Sequence, residues 1–352
     1  MSTVLTTGGL GFIGSHTCVE LINAGYDVLI IDSLYNCQIN TLSNLKKIFL
    51  LEEDKKKGEI YFRKGDLRNK KWLDEVFCEF KNKKKEIISV IHFAGLKAVE
   101  ESIKDPLKYW DWNTSTTLSL LWVMNNHKCY NLLFSSSATI YGIGCVEKIN
   151  EDHEKAPINP YGNTKLTIEK ILSDLYESAP NNWKIVNLRY FNPAGSHHSG
   201  LIGEEPISVP KNLFPLILKT GLKKRSQLYI FGKDWPTPDG TCIRDFIHIS
   251  DLAKAHLASL KFLIKNEPQK ISFNIGTGVG YSVLEVVKTF IKVNNINIPY
   301  IFRDRRPGDH YYSVANNSQA LSYLEWEPSK TLEDMCRDSW NFATKKEFKF
   351  LK

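Results

Sequence analysis

The chain has 352 residues, 42% hydrophobic and 24% charged, an ordinary balance for a globular protein with room for a sizeable core. No apolar stretch reaches the ~18 residues of a membrane-spanning helix, and seven cysteines without a Cys-x-x-Cys pair argue against a disulfide framework or a zinc site. The net charge of +7 is concentrated in short runs, Lys55-Lys56-Lys57, Lys83-Lys84-Lys85 and Lys223-Lys224-Arg225, without stacking aromatics between them, so it reads as solvated surface and not as a nucleic-acid face.

In chain order, residues 3–7 read as a strand that starts too early for a leader segment to precede it. With the unpaired cysteines this points to a reducing, cytosolic compartment. Residues 12–24 carry a helical apolar pattern, 27–31 a second strand, 50–58 a charged loop and 60–64 a third strand. Helix 70–80, strand 90–94, helix 106–127, strand 132–136, helix 160–178 and strand 185–190 follow. This alternation predicts an α/β fold, a doubly wound parallel sheet of Rossmann type. Beyond Asn192, Pro and Gly punctuate 193–215 and 234–240 and the pieces shorten. A nucleotide-binding domain over 1–192 is therefore expected, with a smaller C-terminal α/β lobe over 193–352 whose chain crosses back to the first.

The first strand runs into Thr7-Gly8-Gly9-Leu10-Gly11-Phe12-Ile13-Gly14. Gly8 and Gly11 suit a tight turn and close approach to a pyrophosphate, and Gly14 suits close packing of helix on sheet. The start of the helix, at Phe12 and Ile13, offers free N–H groups to an anion. Asp32 ends the second strand, where a carboxylate accepts from ribose hydroxyls and repels a 2′-phosphate, so NAD is expected over NADP. A second glycine cluster, Gly276-Thr277-Gly278-Val279-Gly280, lacks this spacing and reads as a loop.

Ser135-Ser136-Ser137 ends the fifth strand, where α/β folds place their chemistry. Downstream, Asn159-Pro160 reads as a helix start, and Tyr161 and Lys165 then share one helical face. A serine, a tyrosine and a lysine so placed can move a proton on and off a sugar hydroxyl. The same spacing at Tyr229 and Lys233 falls in a strand-like run and is set aside. His197 and His198 are adjacent and have no ligand-type spacing around them, so no metal is expected.

Longer blocks are more specific: Ile91-His92-Phe93-Ala94-Gly95-Leu96-Lys97-Ala98-Val99, Leu188-Arg189-Tyr190-Phe191-Asn192-Pro193, Asp239-Gly240-Thr241-Cys242-Ile243-Arg244-Asp245-Phe246-Ile247-His248 and Arg305-Arg306-Pro307-Gly308-Asp309. With the glycine turn and in this order, the chain resembles the UDP-glucose 4-epimerases of the extended short-chain dehydrogenase/reductase family over nearly its whole length.

The resemblance implies tightly bound NAD and a reaction without net redox change. NAD takes the hydride from C4 of a UDP-hexose while Tyr161 takes the O4 proton; the 4-keto sugar turns over and the hydride returns to its other face. A phenol of pKa ~10 needs lowering for this, and the Lys165 ammonium and the positive nicotinamide are expected to lower it. Ser137 is expected to hydrogen-bond O4 and either share or relay the proton, and Lys165 to hold the nicotinamide ribose as well. The resemblance further assigns Asn36, Asp66, Leu67, Phe93, Ala94, Gly95, Lys97, Asn113 and Tyr190 to the cofactor. To the UDP-sugar it assigns Asn192, Asn212, Leu213, Tyr229, Phe231, Arg244, Arg306, Asp309 and Ser313. Arg244 and Arg306 suit a diphosphate.

The chain departs from the family pattern at Lys211, where many relatives carry a second Asn, and at Ser33 and Cys37 beside Asp32. Ser313 is small where relatives restricted to UDP-glucose and UDP-galactose resemble one another in carrying Tyr, so N-acetylated sugars are expected as substrates too. A homodimer through helices 106–127 and 161–178 is implied. The competing readings are a nucleotide-sugar 4,6-dehydratase or decarboxylase and a NAD-binding sensor without catalysis. The dehydratases need an acidic pair after the serine, where this chain has Ala138 and Thr139. A sensor has no need of Ser137, Tyr161 and Lys165 together.

Overall fold

The computed structural model describes residues 2–51, 58–142, 147–207, 210–306 and 308–350. The run Lys55-Lys56-Lys57, and with it most of the charged loop read over 50–58, lies outside these residues. The first part of the chain forms β1 (Thr3–Thr7), α1 (Phe12–Asn23), β2 (Asp27–Asp32), α2 (Asn40–Leu51), β3 (Ile60–Lys64), α3 (Lys70–Asn82), β4 (Ile87–His92), α4 (Val99–Lys104), α5 (Pro106–Asn126), β5 (Asn131–Ser137), α6 (Pro160–Ser178) and β6 (Lys184–Tyr190). It continues with β7 (Asn192–Ala194), α7 (Leu213–Gly221), β8 (Leu228–Phe231), β9 (Ile243–His248), α8 (Ile249–Lys265), β10 (Lys270–Ile275), β11 (Gly280–Ser282), α9 (Val283–Asn294), β12 (Tyr300–Arg303), β13 (Tyr312–Ser313), α10 (Ser318–Tyr323) and α11 (Leu332–Phe350).

Seven parallel strands form one sheet in the order β10-β6-β5-β4-β1-β2-β3. Its strands are apolar on both faces, as a sheet covered by helices on both sides requires. Alternate residues divide cleanly between the two sides. Val4, Val28, Ile30, Ile91, Leu133 and Val186 enter a core with α1 and α8. Leu5, Leu29, Ile31, Val90, Leu132, Phe134 and Ile185 enter a second core with α3, α5 and α6. Strand order reverses between β1 and β4, and the crevice beyond their carboxyl ends is where such sheets bind ligands.

The β4 strand was expected over 90–94; it begins at Ile87 and ends at His92, in register with Thr7 of β1. At Gly8 the chain leaves the sheet with φ +66, so β1 no longer accompanies β4 and Phe93 and Ala94 lie beyond the strand. Helix α2 was not anticipated, because its buried stripe rests on few residues, chiefly Leu45 and Ile48. Beyond Asn192 the elements are not uniformly short. Helix α8 spans 17 residues and α11 spans 19, so the Pro and Gly clusters mark the connections between them. Helix α8 and β10 rejoin the large sheet, while a third core gathers Phe214, Ile217, Ile230, Phe246, Val287 and Phe290 from the remaining elements.

Candidate active site

Gly8 and Gly14 show why the turn after β1 needs glycine. A Cβ on Gly8 would sit 2.9 Å from the Ala94 backbone nitrogen, and one on Gly14 2.6 Å from the Gly8 carbonyl oxygen. Gly11 caps α1 without any side-chain bond, so the first N–H groups of the helix, from Phe12 and Ile13 on, have no side-chain acceptor there. Asp32 stands beside this turn. Its Oδ2 accepts from Leu10 N at 3.1 Å and its Oδ1 from Leu34 N at 2.9 Å and from the Cys37 thiol at 3.2 Å. Burial and the neighbouring carboxylate push the Cys37 thiol well up, which keeps it a neutral donor.

A cleft of about 420 Å³ opens at the ends of β2 and β3, lined by Ser33, Tyr35, Lys64, Gly65, Asp66 and Trp112. Asp66 is held by Arg68 through a forked pair, Nη2 to Oδ2 at 2.7 Å, and Arg68 lies 4.2 Å over the Trp112 ring. That guanidinium holds the Asp66 carboxyl below its ordinary range. Leu67 is buried beneath. Asn36 accepts from Ile207 N at 3.1 Å.

The ends of β4 and β5 bring the reactive groups together. The Asn159 side chain caps α6 by accepting from Gly162 N at 2.8 Å, and Pro160 fills the first helical position as the sequence predicts. Tyr161 and Lys165 are both buried on this helix. Ser137 lies by the Tyr161 phenol and pulls its pKa down, and its own Oγ accepts from Thr139 N at 3.2 Å and Thr139 Oγ1 at 3.0 Å. Lys165 Nζ donates to the Ser135 carbonyl at 2.7 Å and lies 5.9 Å from the centre of the Tyr161 ring.

The expected depression of the Tyr161 pKa is not produced by the protein's own groups. Burial pushes the phenol up, and the Ser137 hydrogen bond opposes it only in part. The Lys165 ammonium is committed to a backbone carbonyl and is itself pushed down to about 8 by burial.

Gly95 borders the same space, for a Cβ there would sit 3.2 Å from Asn113 Oδ1 and 4.0 Å from Lys165 Nζ. The Asn113 amide is fully engaged with protein: Oδ1 accepts from Leu96 N at 2.7 Å, and Nδ2 donates to Leu96 O at 3.2 Å and Thr164 Oγ1 at 3.0 Å. It ties the strand-end loop to α5 and α6. Ala94 N donates to Thr7 Oγ1 at 3.3 Å, and Phe93 lies against the His256 ring at 4.9 Å. Tyr190 bonds His256 through its hydroxyl. Lys97 pairs with Glu204 at 3.2 Å, and Asn212 Nδ2 donates to the same Glu204 at 3.0 Å, so a predicted cofactor residue and a predicted substrate residue share one carboxylate. Lys211 pairs with Glu100 in parallel.

A four-stranded sheet, β11-β9-β13 with β7 paired on β9, carries three of the other predicted substrate residues, and a two-stranded sheet, β12-β8, carries two more. Ser313 is in register with Arg244, and Asn192 with Phe246, so Asn192, Arg244 and Ser313 share one face of β9 and its partners. Phe246 on that face packs on Phe214 of α7 at 5.8 Å between ring centres, which brings the start of α7, Asn212 and Leu213, alongside. Tyr312 is in register with Ile243 and takes the opposite face from Ser313. Tyr229 and Phe231 share the outer face of β8. Arg225 and Arg303 stack on Tyr229 at 4.6 and 5.0 Å, and Arg306 stacks on Phe231 at 4.9 Å while pairing with Asp309 at 2.9 Å. Arg305 instead pairs with Asp234 and stacks on Trp235.

Both decoys resolve physically. Tyr229 and Lys233 lie on a strand and past a turn at Gly232 (φ +80), not on a helix. The N–H groups of Thr277 and Gly278 in the second glycine cluster are taken by buried Asp245, at 2.8 and 2.9 Å. Sequence reasoning missed Glu169, Arg189 and Glu204, whose partners lie elsewhere in the chain, and Thr139, whose hydroxyl turns back onto Ser137 two residues before it. It also missed Asp74, Cys78 and His127, a group with donor atoms within 4.8 Å of one another in which Asp74 and His127 are hydrogen-bonded at 2.9 Å. That group joins α3 to the end of α5, which no short spacing reveals.

The family model for GDP-mannose 4,6 dehydratase matches residues 5–339. A UDP-glucose 4-epimerase of Bacillus subtilis (strain 168) is 45% identical over 97% of this chain and 96% of its own, and one of Dictyostelium discoideum is 47% identical over 97% and 95%. Among solved structures, the UDP-glucose 4-epimerase of Stenotrophomonas maltophila, with bound NAD and formylated UDP-arabinopyranose, superposes with a TM-score of 0.93 at 38% identity, covering 99% of this chain and 100% of its own. That of Bifidobacterium longum, in complex with NAD+ and UDP, gives 0.91 at 42%, covering 98% and 99%. With this fold, this order of sequence blocks and relatives matched end to end, the chain belongs to the UDP-glucose 4-epimerase family.

Proposed function

We propose that this protein interconverts UDP-glucose and UDP-galactose at C4 with tightly bound NAD, and that it acts on UDP-GlcNAc and UDP-GalNAc as well. The observation that carries the reading is the buried set of Ser137, Tyr161 and Lys165 at the carboxyl end of β5 and the start of α6, with Lys165 Nζ on the Ser135 carbonyl. The glycine turn that meets Ala94, the carboxylate of Asp32 and the cleft beside Asp66 fit a dinucleotide, with Gly8, Gly11, Phe12, Ile13, Gly14, Asp32, Asn36, Asp66, Leu67, Phe93, Ala94, Gly95, Lys97, Asn113, Lys165 and Tyr190 around it. When bound, NAD supplies a hydride acceptor that gives the hydride back and a positive charge beside the phenol.

The chain's own residues then have distinct tasks. Tyr161 exchanges a proton with the sugar O4, and Ser137, which pulls the pKa of that phenol down, shares or relays it. Lys165 steadies charge on the phenol side. Asn192, Asn212, Leu213, Tyr229, Phe231, Arg244, Arg306 and Asp309 hold the UDP part, leaving the hexose free to turn. Ser313, small and on the Arg244 face, leaves room for an N-acetyl group. The acidic pair of a dehydratase does not follow Ser137, since Ala138 and Thr139 there carry no carboxyl group.

We take residues 1–192 as the cofactor domain and 193–352 as the UDP-sugar lobe, with α8 and β10 crossing back to the large sheet, and the molecule as a homodimer in the cytosol. Leu107, Leu118 and Trp122 lie exposed along one stripe of α5, which supports pairing through that helix. Buried free thiols such as Cys18, Cys129 and Cys336 suit a reducing compartment.

The test is to incubate the purified protein, with no cofactor added, with UDP-galactose and separately with UDP-GalNAc, and to separate the C4 epimers by chromatography. Turnover of both is expected. Turnover of UDP-galactose alone removes the pocket argument for Ser313, and turnover of neither, also after adding NAD, overturns the reading.

A further inference from the structure

Three consecutive serines end β5, and each meets one member of a single stripe on α6. Ser137 pulls down the pKa of the Tyr161 phenol, the Ser135 carbonyl accepts from Lys165 Nζ at 2.7 Å, and Ser136 Oγ donates to Glu169 Oε1 at 2.5 Å. Tyr161, Lys165 and Glu169 are spaced i, i+4 and i+8, so the helix stacks them along one face. Strand alternation sends Ser136 to the α6 side of the sheet with Leu132 and Phe134, which is why its hydroxyl reaches a carboxylate one turn beyond Lys165.

Glu169 is buried, and its carboxylate is held in place by a fork from Arg189, Nη2 to Oε2 at 2.7 Å and Nε to Oε1 at 3.0 Å. Arg189 is held in turn by the Tyr141 hydroxyl at 2.8 Å and the Glu151 carbonyl at 2.9 Å. The carboxylate therefore cannot swing away from the stripe.

We propose that Glu169, oriented by Ser136 and Arg189, is a positioning residue for the reaction: it is the counter-charge that keeps the buried Lys165 a cation aimed at the Ser135 carbonyl beside Tyr161. This rests on the epimerase reading for its consequence in turnover, but not for the state of Lys165. A purely structural ion pair would hold α6 to β6 and leave Lys165 unaffected.

The other groups facing Lys165 offer no opposite charge. On α6 they are Tyr161 and Glu169 themselves; from β5 come the Ser135 carbonyl and the Phe134 ring at 4.8 Å; from β4 comes neutral His92; from α5 comes Asn113, by way of Gly95. Around Glu169 stand Ser136, Arg189 and, from the loop before α6, Lys155. Burial pulls Lys165 down to about 8, and Glu169 is the charge that opposes the pull.

The experiment titrates Lys165 by NMR in NAD-loaded protein carrying 13C-labelled lysine, in the wild type, in Glu169→Gln and in the doubly apolar Glu169→Met/Arg189→Leu. The double variant removes both buried charges together and so avoids an orphaned guanidinium. Removing the carboxylate is expected to lower the Lys165 midpoint by about one pH unit or more, with turnover of UDP-galactose down about fivefold at pH 8 and near wild type at pH 6. The alkaline limb of the rate profile should move by the same amount. A Lys165 midpoint equal to wild type in either folded variant overturns the proposal, whatever happens to stability. Absence of turnover in the wild type overturns the epimerase reading and with it the catalytic consequence, while the titration still decides whether Glu169 sets the charge of Lys165.

Discussion

Replacing Tyr161 by Phe removes one hydroxyl from a helix whose cap and buried contacts stay as they are. The proposed proton transfer then has no acceptor, so turnover should fall about 10²–10⁴-fold while the protein still copurifies with NAD, measured by absorbance after denaturation. Survival of turnover at near wild-type level would remove Tyr161 from the chemistry. Ser313→Tyr tests the pocket in the opposite sense. The new ring would stand on the Arg244 face, so turnover of UDP-GalNAc should drop at least tenfold while that of UDP-galactose changes little. Equal losses on both substrates would mean that Ser313 is general packing. The grouping of Ser137, Tyr161 and Lys165 was legible because a strand end and one helical face bring them together. The direction of the Tyr161 shift was not, because it depends on how deeply the ring is buried and on where the lysine points.

At the scale of elements, α6 and the turn after β10 make the clearest tests. Asn159→Ala removes the side chain that accepts from Gly162 N, and the loss should be about 1 kcal/mol in chemical denaturation. Asp245 is a stronger case. Its two buried oxygens take Thr277 N, Thr277 Oγ1, Gly278 N and Ala315 N at 2.8–3.1 Å, which ties the glycine-rich turn to β9 and β13. Asp245→Ala leaves those donors without their partner and should cost on the order of 3 kcal/mol. A loss under 1 kcal/mol would mean that water replaces the carboxylate. The cap of α6 was readable as Asn-Pro before an apolar pattern. Asp245 was quoted within a sequence block without a role, since its partners lie 32 and 70 residues away.

Across the whole molecule, buried histidines set the response to acid. Burial lowers His16 and His92 to about 3 and His197 and His256 to about 4. His92 is a neutral link: Thr117 donates to the Asn113 carbonyl and so accepts from His92 Nε2, which leaves Nδ1 to accept from Thr7 at 2.7 Å. Because the folded values lie below the ordinary ~6.5, the unfolded chain binds more protons between pH 6.5 and about 3. The stability these groups contribute is whole above pH 6.5 and drains as pH falls through that window. Asp245, raised to about 6 by burial, runs the other way but is one group against four. The Tm should therefore drop steadily from pH 7 to pH 4.5, and a flat profile would show that the four rings are not buried neutral.

The sequence by itself determined the parallel α/β alternation, the glycine turn, Asp32, and the order Ser137, Tyr161, Lys165, because each is written in local patterns: the apolar period of single elements, one turn, a strand end and one helical face. It also carried the family, through blocks dense enough to be matched along the chain. Only the tertiary structure decided that Phe93 and Ala94 lie beyond β4, that α8 and β10 return to the large sheet, and that Lys97 and Asn212 meet at Glu204. It alone joined Ser136, Glu169 and Arg189 behind the lysine. These outcomes depend on burial and on contacts between distant segments, and the energy of a buried charge or a shared carboxylate is set by neighbours that no local pattern names.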